Sequence, residues 1–230
     1  MIGMGPGAYE QMTVKAVRTL EKCDVIVGYT VYIELLKEYF PDKRYLTTSM
    51  RQEAARCRIA FEEAAKGAVT AMVCSGDAGI YGMAGLMYEI GEEYPEVAIE
   101  VIPGVTAALG GSAVLGAAVG HDVSLISLSD LLTPWELIEE RLRCAAKADF
   151  VICLYNPSSR KRSTYLAKAC EIMLEYKAED TVCGIVKNIA REGETMQTLT
   201  LKELKETTVD MFSTVFIGNK QTKVIREKMV

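Results

Sequence analysis

His121 is the only imidazole in a chain of 230 residues. With an ordinary pKa of about 6.5 it gives and takes protons near neutrality, which Lys and Arg do poorly without a large shift. Asp122 follows it directly, and Ser129 and Asp130 come a few residues later, each able to hold a nitrogen or orient a water. His121, Asp122 and Ser129 are therefore the candidate catalytic residues for proton transfer, although a lone His also serves as a polar bridge in a connection. A second chemistry is suggested by three glycine-rich stretches, MIGMGPGAYE (1–10), CSGDAGIYGMAG (74–85) and VIPGVTAALGG (101–111). Glycine stands where a turn needs positive φ or where a ligand must come close to the main chain. Basic side chains cluster most densely at Arg160, Lys161 and Arg162, with Arg51 a weaker candidate for the same anion-pairing role.

The elements that must position these residues alternate between short apolar runs and longer stretches of helical period. Strands are predicted at 23–28, 68–75, 97–103, 123–128, 149–155, 181–187 and 213–218, and residues 195–201 (TMQTLTL) alternate as an antiparallel strand would. Residues 51–66 place Ala54, Cys57, Phe61 and Ala64 on one helical face and stop at Gly67, while 163–177 repeats the pattern with Leu166, Ala169 and Met173. Thr133-Pro134-Trp135-Glu136 reads as a helix start in which Thr133 caps and Pro134 occupies the first turn. The alternation predicts an α/β fold. The small-residue tract 104–120 is the best place for a short hinge between domains, and it reads equally well as a helix packed close to a neighbour.

Two of the glycine loops follow predicted strands, the position at which open α/β sheets bind ligands. Each loop alone is a tight turn before a helix; three together imply one shared cleft. Gly3, Gly5 and Ala8 satisfy a G-x-G-x-x-A spacing, but Asp24 opens the second strand where a ribose-binding acid would close it, and no Gly-Lys-Ser/Thr follows. Dinucleotide and P-loop readings both lose their support.

Half of the residues are apolar, a quarter are charged and the net charge is −5, which argues against a general nucleic-acid binder. Seven cysteines without a CxxC pair, several inside apolar runs, suit reduced core thiols better than disulfides or a metal site. No apolar run approaches the roughly eighteen residues of a membrane helix. The reading is a cytoplasmic protein with no membrane, nucleic-acid or metal partner.

In order and spacing, GMGPG, SGDAGIYG, IPGVTAA, GHDVSLISLSDLLTPWE and LYNPSSRKR resemble the tetrapyrrole methylases, the S-adenosylmethionine-dependent enzymes of sirohaem and cobalamin synthesis. The resemblance covers nearly the whole chain. Ala78 after Gly-Asp, the GHD stretch and YNPSSRKR resemble the branch acting on carbon 17 of precorrin-3B or cobalt-factor III. The resemblance implies two α/β domains, placed here at 1–107 and 108–230 with a mixed sheet in the second, and an active-site cleft between them. It implies S-adenosylmethionine as methyl donor, with S-adenosylhomocysteine as product. The expected cofactor contacts are Gly76, Asp77, Ile80, Tyr81, Thr106, Ala107, Tyr155 and Asn156, with weaker matches near Asn188 and Thr214. Gly5, Pro6 and Gly7 fall on the tetrapyrrole side, and Arg160, Lys161 and Arg162 are rim candidates for its carboxylates.

The implied reaction is methylation at carbon 17 with ring contraction, in a homodimer. Another tetrapyrrole C-methylation, a diphthamide-type methylation or a noncatalytic sensor of the cofactor are the alternatives. Family members carry a full hydrophobic strand before the first glycine loop. Only Met1 and Ile2 stand there in this sequence, which suggests upstream residues outside it.

Overall fold

A computed structural model describes residues 1–159 and 161–230, which form two compact units, Met1–Thr106 and Ala107–Val230. The first unit runs β1 (Ile2–Gly3), α1 (Val14–Lys22), β2 (Val25–Tyr29), α2 (Thr30–Lys37), β3 (Arg44–Thr48), α3 (Glu53–Ala65), β4 (Thr70–Cys74) and α4 (Ala84–Gly91). Its sheet has the order β1-β4-β2-β3 and every pairing is parallel.

Continuous apolar runs form β2 and β4 because both faces of this sheet are covered. Ile26, Ala71 and Val73 pack with Ala16, Leu20, Ile33 and Leu36 of α1 and α2. Val25, Val27, Met72 and Cys74 pack with Cys57, Phe61, Met87 and Ile90 of α3 and α4. Phe61 is 1 % exposed, and burying such a ring contributes about 2–3 kcal/mol. Thr13 caps α1 by accepting the Ala16 N–H at 3.1 Å.

The second unit runs α5 (Ala107–Leu115), β5 (Val123–Ser127), α6 (Trp135–Lys147), β6 (Val151–Tyr155), α7 (Tyr165–Leu174), β7 (Val182–Lys187), β8 (Thr195–Thr200), α8 (Leu201–Lys205), β9 (Ser213–Ile217), β10 (Val224–Ile225) and β11 (Lys228–Met229). Its main sheet, ordered β5-β6-β9-β7-β8, is mixed: β5 and β6 are parallel and the other neighbours antiparallel. The antiparallel strand read in TMQTLTL is β8. Helices α6, α7 and α8 cover one face. On the other, α5 lies so close that a Cβ on Gly111 would stand 2.7 Å from the Phe216 ring, and one on Gly184 2.6 Å from Leu115 Cδ1. Over 107–115 the small-residue tract is thus a packed helix, and the division between the two units falls at its start, between Thr106 and Ala107.

Three expectations are corrected. Residues 97–103 form no strand: Ile102 alone makes a parallel bridge to Ile2, because β1 offers two residues to pair with. Between Thr70–Met72 and Val97–Glu100 lies a groove of about 470 Å³ that none of the glycine-loop residues 3–7, 75–82 or 104–106 lines. Thr133 does not cap α6. The helix starts at Trp135, and the carbonyl of extended Pro134 accepts the Leu137 and Ile138 N–H groups. On α3, Cys57 and Phe61 are buried but Ala54 is exposed, the inward face being completed by Arg56, Ala60 and Glu63. The α7 face of Leu166, Ala169 and Met173 is buried as read.

All seven cysteines are free thiols, and only Cys144 is exposed. Burial pushes the Cys57 thiol up to about 11, Cys74 and Cys170 to about 12, and Cys153 and Cys183 higher still. Thiolates, not thiols, react. Titration of the native protein with a chromogenic disulfide should therefore show one fast thiol per chain, lost in Cys144→Ser, with the other six appearing only on unfolding. Two or more fast thiols in the native state would contradict this packing.

Candidate active site

In the first unit the three glycine loops interlock. Met4 N–H donates to Cys74 O at 2.9 Å, Gly5 and Gly76 exchange backbone bonds of 3.1 and 2.8 Å, and Gly3 N–H donates to Ile102 O at 2.9 Å. A Cβ on Gly3 would lie 2.6 Å from Gly76 O and 2.8 Å from Gly104 N, so a side chain there forces the loops apart. These glycines serve one another's backbones. Gly5, Pro6 and Gly7, expected on the tetrapyrrole side, are buried, with Gly5 at φ 73°.

Asp77 ties this arrangement together. Its Oδ1 accepts the N–H groups of Gly79 at 2.8 Å and Ile80 at 3.1 Å, closing its own turn, while Oδ2 accepts Gly104 N–H at 3.0 Å. The carboxylate thus holds the SGDAGIYG loop and fastens it to the IPGVT loop. Beyond it, Ile80 is 38 % and Tyr81 51 % exposed, and Tyr81 sits at φ 52°. A non-glycine residue at positive φ is held by its surroundings, a pattern that clusters at ligand sites. Cys74 borders the loop as a protonated thiol, since burial raises its pKa.

In the second unit the carboxyl ends of β5, β6 and β7 share one edge of the sheet with the start of β9. Ser127 pairs with Tyr155, Leu154 with Val215, Val186 with Thr214 and Lys187 with Ser213. Ser127, Tyr155, Asn156, Asn188 and Thr214 therefore gather at this edge. The Tyr155 hydroxyl oxygen accepts Ala108 N–H from the first turn of α5 at 2.9 Å, next to Ala107 and the buried Thr106. Asn156, at φ 52°, donates from Nδ2 to Ser127 Oγ at 2.9 Å, and Asn188 is also at φ 52°.

The loop after β5 carries a polar network. Arg162 donates from Nη1 to Ser129 Oγ at 2.5 Å and from Nε to Ser159 Oγ at 3.1 Å, with Asp130 Oδ1 3.6 Å from Nη1. Tyr165 donates its hydroxyl to Asp130 Oδ2 at 2.7 Å, and that bond pushes the phenol pKa up. Of the basic run, Arg162 is committed to this network, Lys161 is exposed, and Arg160 lies outside the described residues.

His121 and Asp122 precede β5, whereas Ser129 follows it, and the five residues of β5 put about 16 Å between its ends. The proposed catalytic residues are thus divided between opposite edges of the sheet. Ser127 and Tyr165 were missed by the sequence reading. Ser127 could have been found from its position at the end of a strand beside YNPSS, but nothing local marks Tyr165 as the partner of Asp130.

The family model described as Tetrapyrrole (Corrin/Porphyrin) Methylases matches residues 1–205. The chain belongs to this family. A relative from Salmonella typhimurium, named "Probable cobalt-factor III C(17)-methyltransferase", is 44% identical over 225 residues, spanning 97% of this chain and 93% of its own. The precorrin-3B C(17)-methyltransferase of a Sinorhizobium species is 35% identical over 229 residues, 98% of this chain and 90% of its own. The crystal structure of the methyltransferase CobJ superposes with a TM-score of 0.90 at 32% identity, covering 99% of this chain and 96% of that one. Like other tetrapyrrole methylases, the chain consists of two α/β units.

The Asp77 geometry makes its replacement a matter of stability as well as binding. Hydrogen bonds to a charged acceptor contribute about 1.5–3 kcal/mol, so the partly exposed Asp77→Ala should cost about 2–3 kcal/mol, a fall of about 5–10 °C in melting temperature. Asp77→Asn, which retains one acceptor oxygen, should lose roughly half as much. Calorimetry of the three proteins checks this; an unchanged melt in Asp77→Ala would show that the carboxylate does not hold the loops.

Proposed function

We propose that this protein is an S-adenosylmethionine-dependent C-methyltransferase of cobalamin biosynthesis that methylates carbon 17 of precorrin-3B or cobalt-factor III with ring contraction. The observation that carries the reading is the extent of the similarity to named C(17)-methyltransferases, which spans both the interlocked glycine loops and the LYNPSSRKR edge.

The residues fit the cofactor. In the first unit the Gly76–Tyr81 loop is preset by Asp77, and it presents Ile80 and Tyr81 as exposed apolar and aromatic surface for an adenine. Thr106 and Ala107 are small residues at the start of α5, and in the second unit Tyr155 and Asn156 are fixed through Ala108 and Ser127. When bound, S-adenosylmethionine supplies an electrophilic methyl group for direct displacement, so alignment and exclusion of water are the main protein contributions.

Proton handling during the rearrangement falls to groups at the carboxyl edge of the second sheet. Ser129 is held by Arg162, and Asp130 is held by Tyr165. We assign the role to these groups in preference to His121, which stands before β5 at its other end. The reading includes a homodimer working in the cytoplasm, as the family resemblance implies.

The test is incubation with S-adenosylmethionine and either substrate form, followed by mass spectrometry. A product heavier by one methyl and carrying a contracted ring is expected; cofactor binding without turnover of either form identifies a sensor instead. In the same assay Ser129→Ala should lower kcat at least about tenfold and His121→Ala change it by less than about threefold. The reverse order would return the acid–base role to His121.

A further inference from the structure

Arg56 on α3 is 4 % exposed, yet every partner of its guanidinium is neutral. Nε donates to Thr48 Oγ1 at 2.8 Å, Nη2 to Ser49 O at 3.0 Å, and Nη1 reaches Met83 Sδ at 3.5 Å. The guanidinium carbon lies 5.8 Å from the centre of the Tyr29 ring. Ion pairs in this unit engage Lys15, Lys37, Arg44, Arg58 and Lys66; among the described residues no carboxylate pairs with Arg56.

A buried charge is ordinarily paired, because losing water costs more than neutral hydrogen bonds return. A thioether is a weak acceptor, and a guanidinium has five N–H donors. Two oxygen acceptors therefore leave Arg56 with donor capacity on both Nη atoms and, among the described residues, no carboxylate within ion-pair distance.

Its position gives that charge a use. Tyr29 closes β2, Thr48 closes β3, and Met83 ends the glycine loop after β4, so Arg56 lies where three neighbouring parallel strands end. Met50, Ile80 and Tyr81, on the same loops, are exposed, which supplies apolar surface beside the cation.

We propose that Arg56 pairs with a peripheral carboxylate of the tetrapyrrole and orients the macrocycle on the first unit. This rests on the methyltransferase reading above and adds the residue that recognises its acidic substrate. Charge distinguishes the two ligands: a methyl donor with a sulfonium and an amine against one carboxylate is a net cation, which an uncompensated guanidinium disfavours. A polycarboxylate gains from it. The fork of Nη1 and Nη2 is suited to a carboxylate in a way that a lysine is not.

The experiment compares wild type, Arg56→Gln and Arg56→Lys by melting temperature, cofactor titration, and tetrapyrrole KM at two salt concentrations. Arg56→Gln should raise the tetrapyrrole KM about tenfold or more and flatten its salt dependence, with cofactor affinity within about twofold of wild type. Arg56→Lys, with a point charge in place of the fork, should give an intermediate KM, and it carries the test alone if Arg56→Gln does not fold. An unchanged KM and salt response in either folded variant, or a loss confined to melting temperature or cofactor affinity, would falsify the proposal. If wild type turns over neither substrate form, the methyltransferase reading has failed first. If wild type is active and the variants match it, only the role of Arg56 falls.

Discussion

The Asp77 carboxylate, with one oxygen on its own turn and the other on Gly104, is the interaction on which the geometry of the first unit's loops depends. The three glycine stretches lie apart in sequence, 71 residues separating Gly5 from Gly76 and 27 separating Asp77 from Gly104, and their backbones meet at distances that exclude a Cβ on Gly3. Such close approach leaves few side chains to specify the arrangement. An ionised acceptor is the economical solution, because a single group satisfies three N–H donors and is stronger for being charged. The exposed Ile80 owes its placement to it through the bond to its N–H.

The two units achieve the same end differently. In the first, helices on both faces bury an all-parallel sheet, and the glycine loops collect at the strand ends by topology alone. In the second, antiparallel β9 enters between β6 and β7, so a strand start joins the strand ends at one edge. That edge is tied down by side chains: Tyr155 to α5, Asn156 to Ser127, Arg162 to Ser129 and Asp130. One unit presets its loops through backbone contacts and one carboxylate, the other through a polar network.

The core strands were legible because they are buried on both faces and read as uninterrupted apolar runs. RYLTT (β3) was not: it is an edge strand, half polar, without the alternation or continuity that marks a strand. Residues 97–103 carried the right composition and lacked a partner of matching length, which composition does not reveal. Within the site, the glycine loops were visible because glycine is informative by type. A turn-forming Asp77 was legible from Gly-Asp-x-Gly, but its bond to Gly104 and the neutral surroundings of Arg56 were not, since they depend on Gly104, Thr48, Ser49 and Met83, which are separated from them in sequence or unremarkable in kind. His121 was chosen for its chemistry, and only the strand direction shows that it stands at the other edge from Ser129.

The placement of β1 has a consequence for how the chain is made. Ile2 pairs with Val73 on one side and Ile102 on the other, so β1 acquires its neighbours only after a long stretch of later chain has left the ribosome. Pairings of such sequence separation form late and slowly. Until Ile102 emerges, β1, paired to β4 through Ile2 and Val73, leaves its other side open, the kind of unpaired strand edge that invites association with other chains. The vulnerable interval in the life of this protein therefore falls during its synthesis, between the emergence of β4 and that of Ile102.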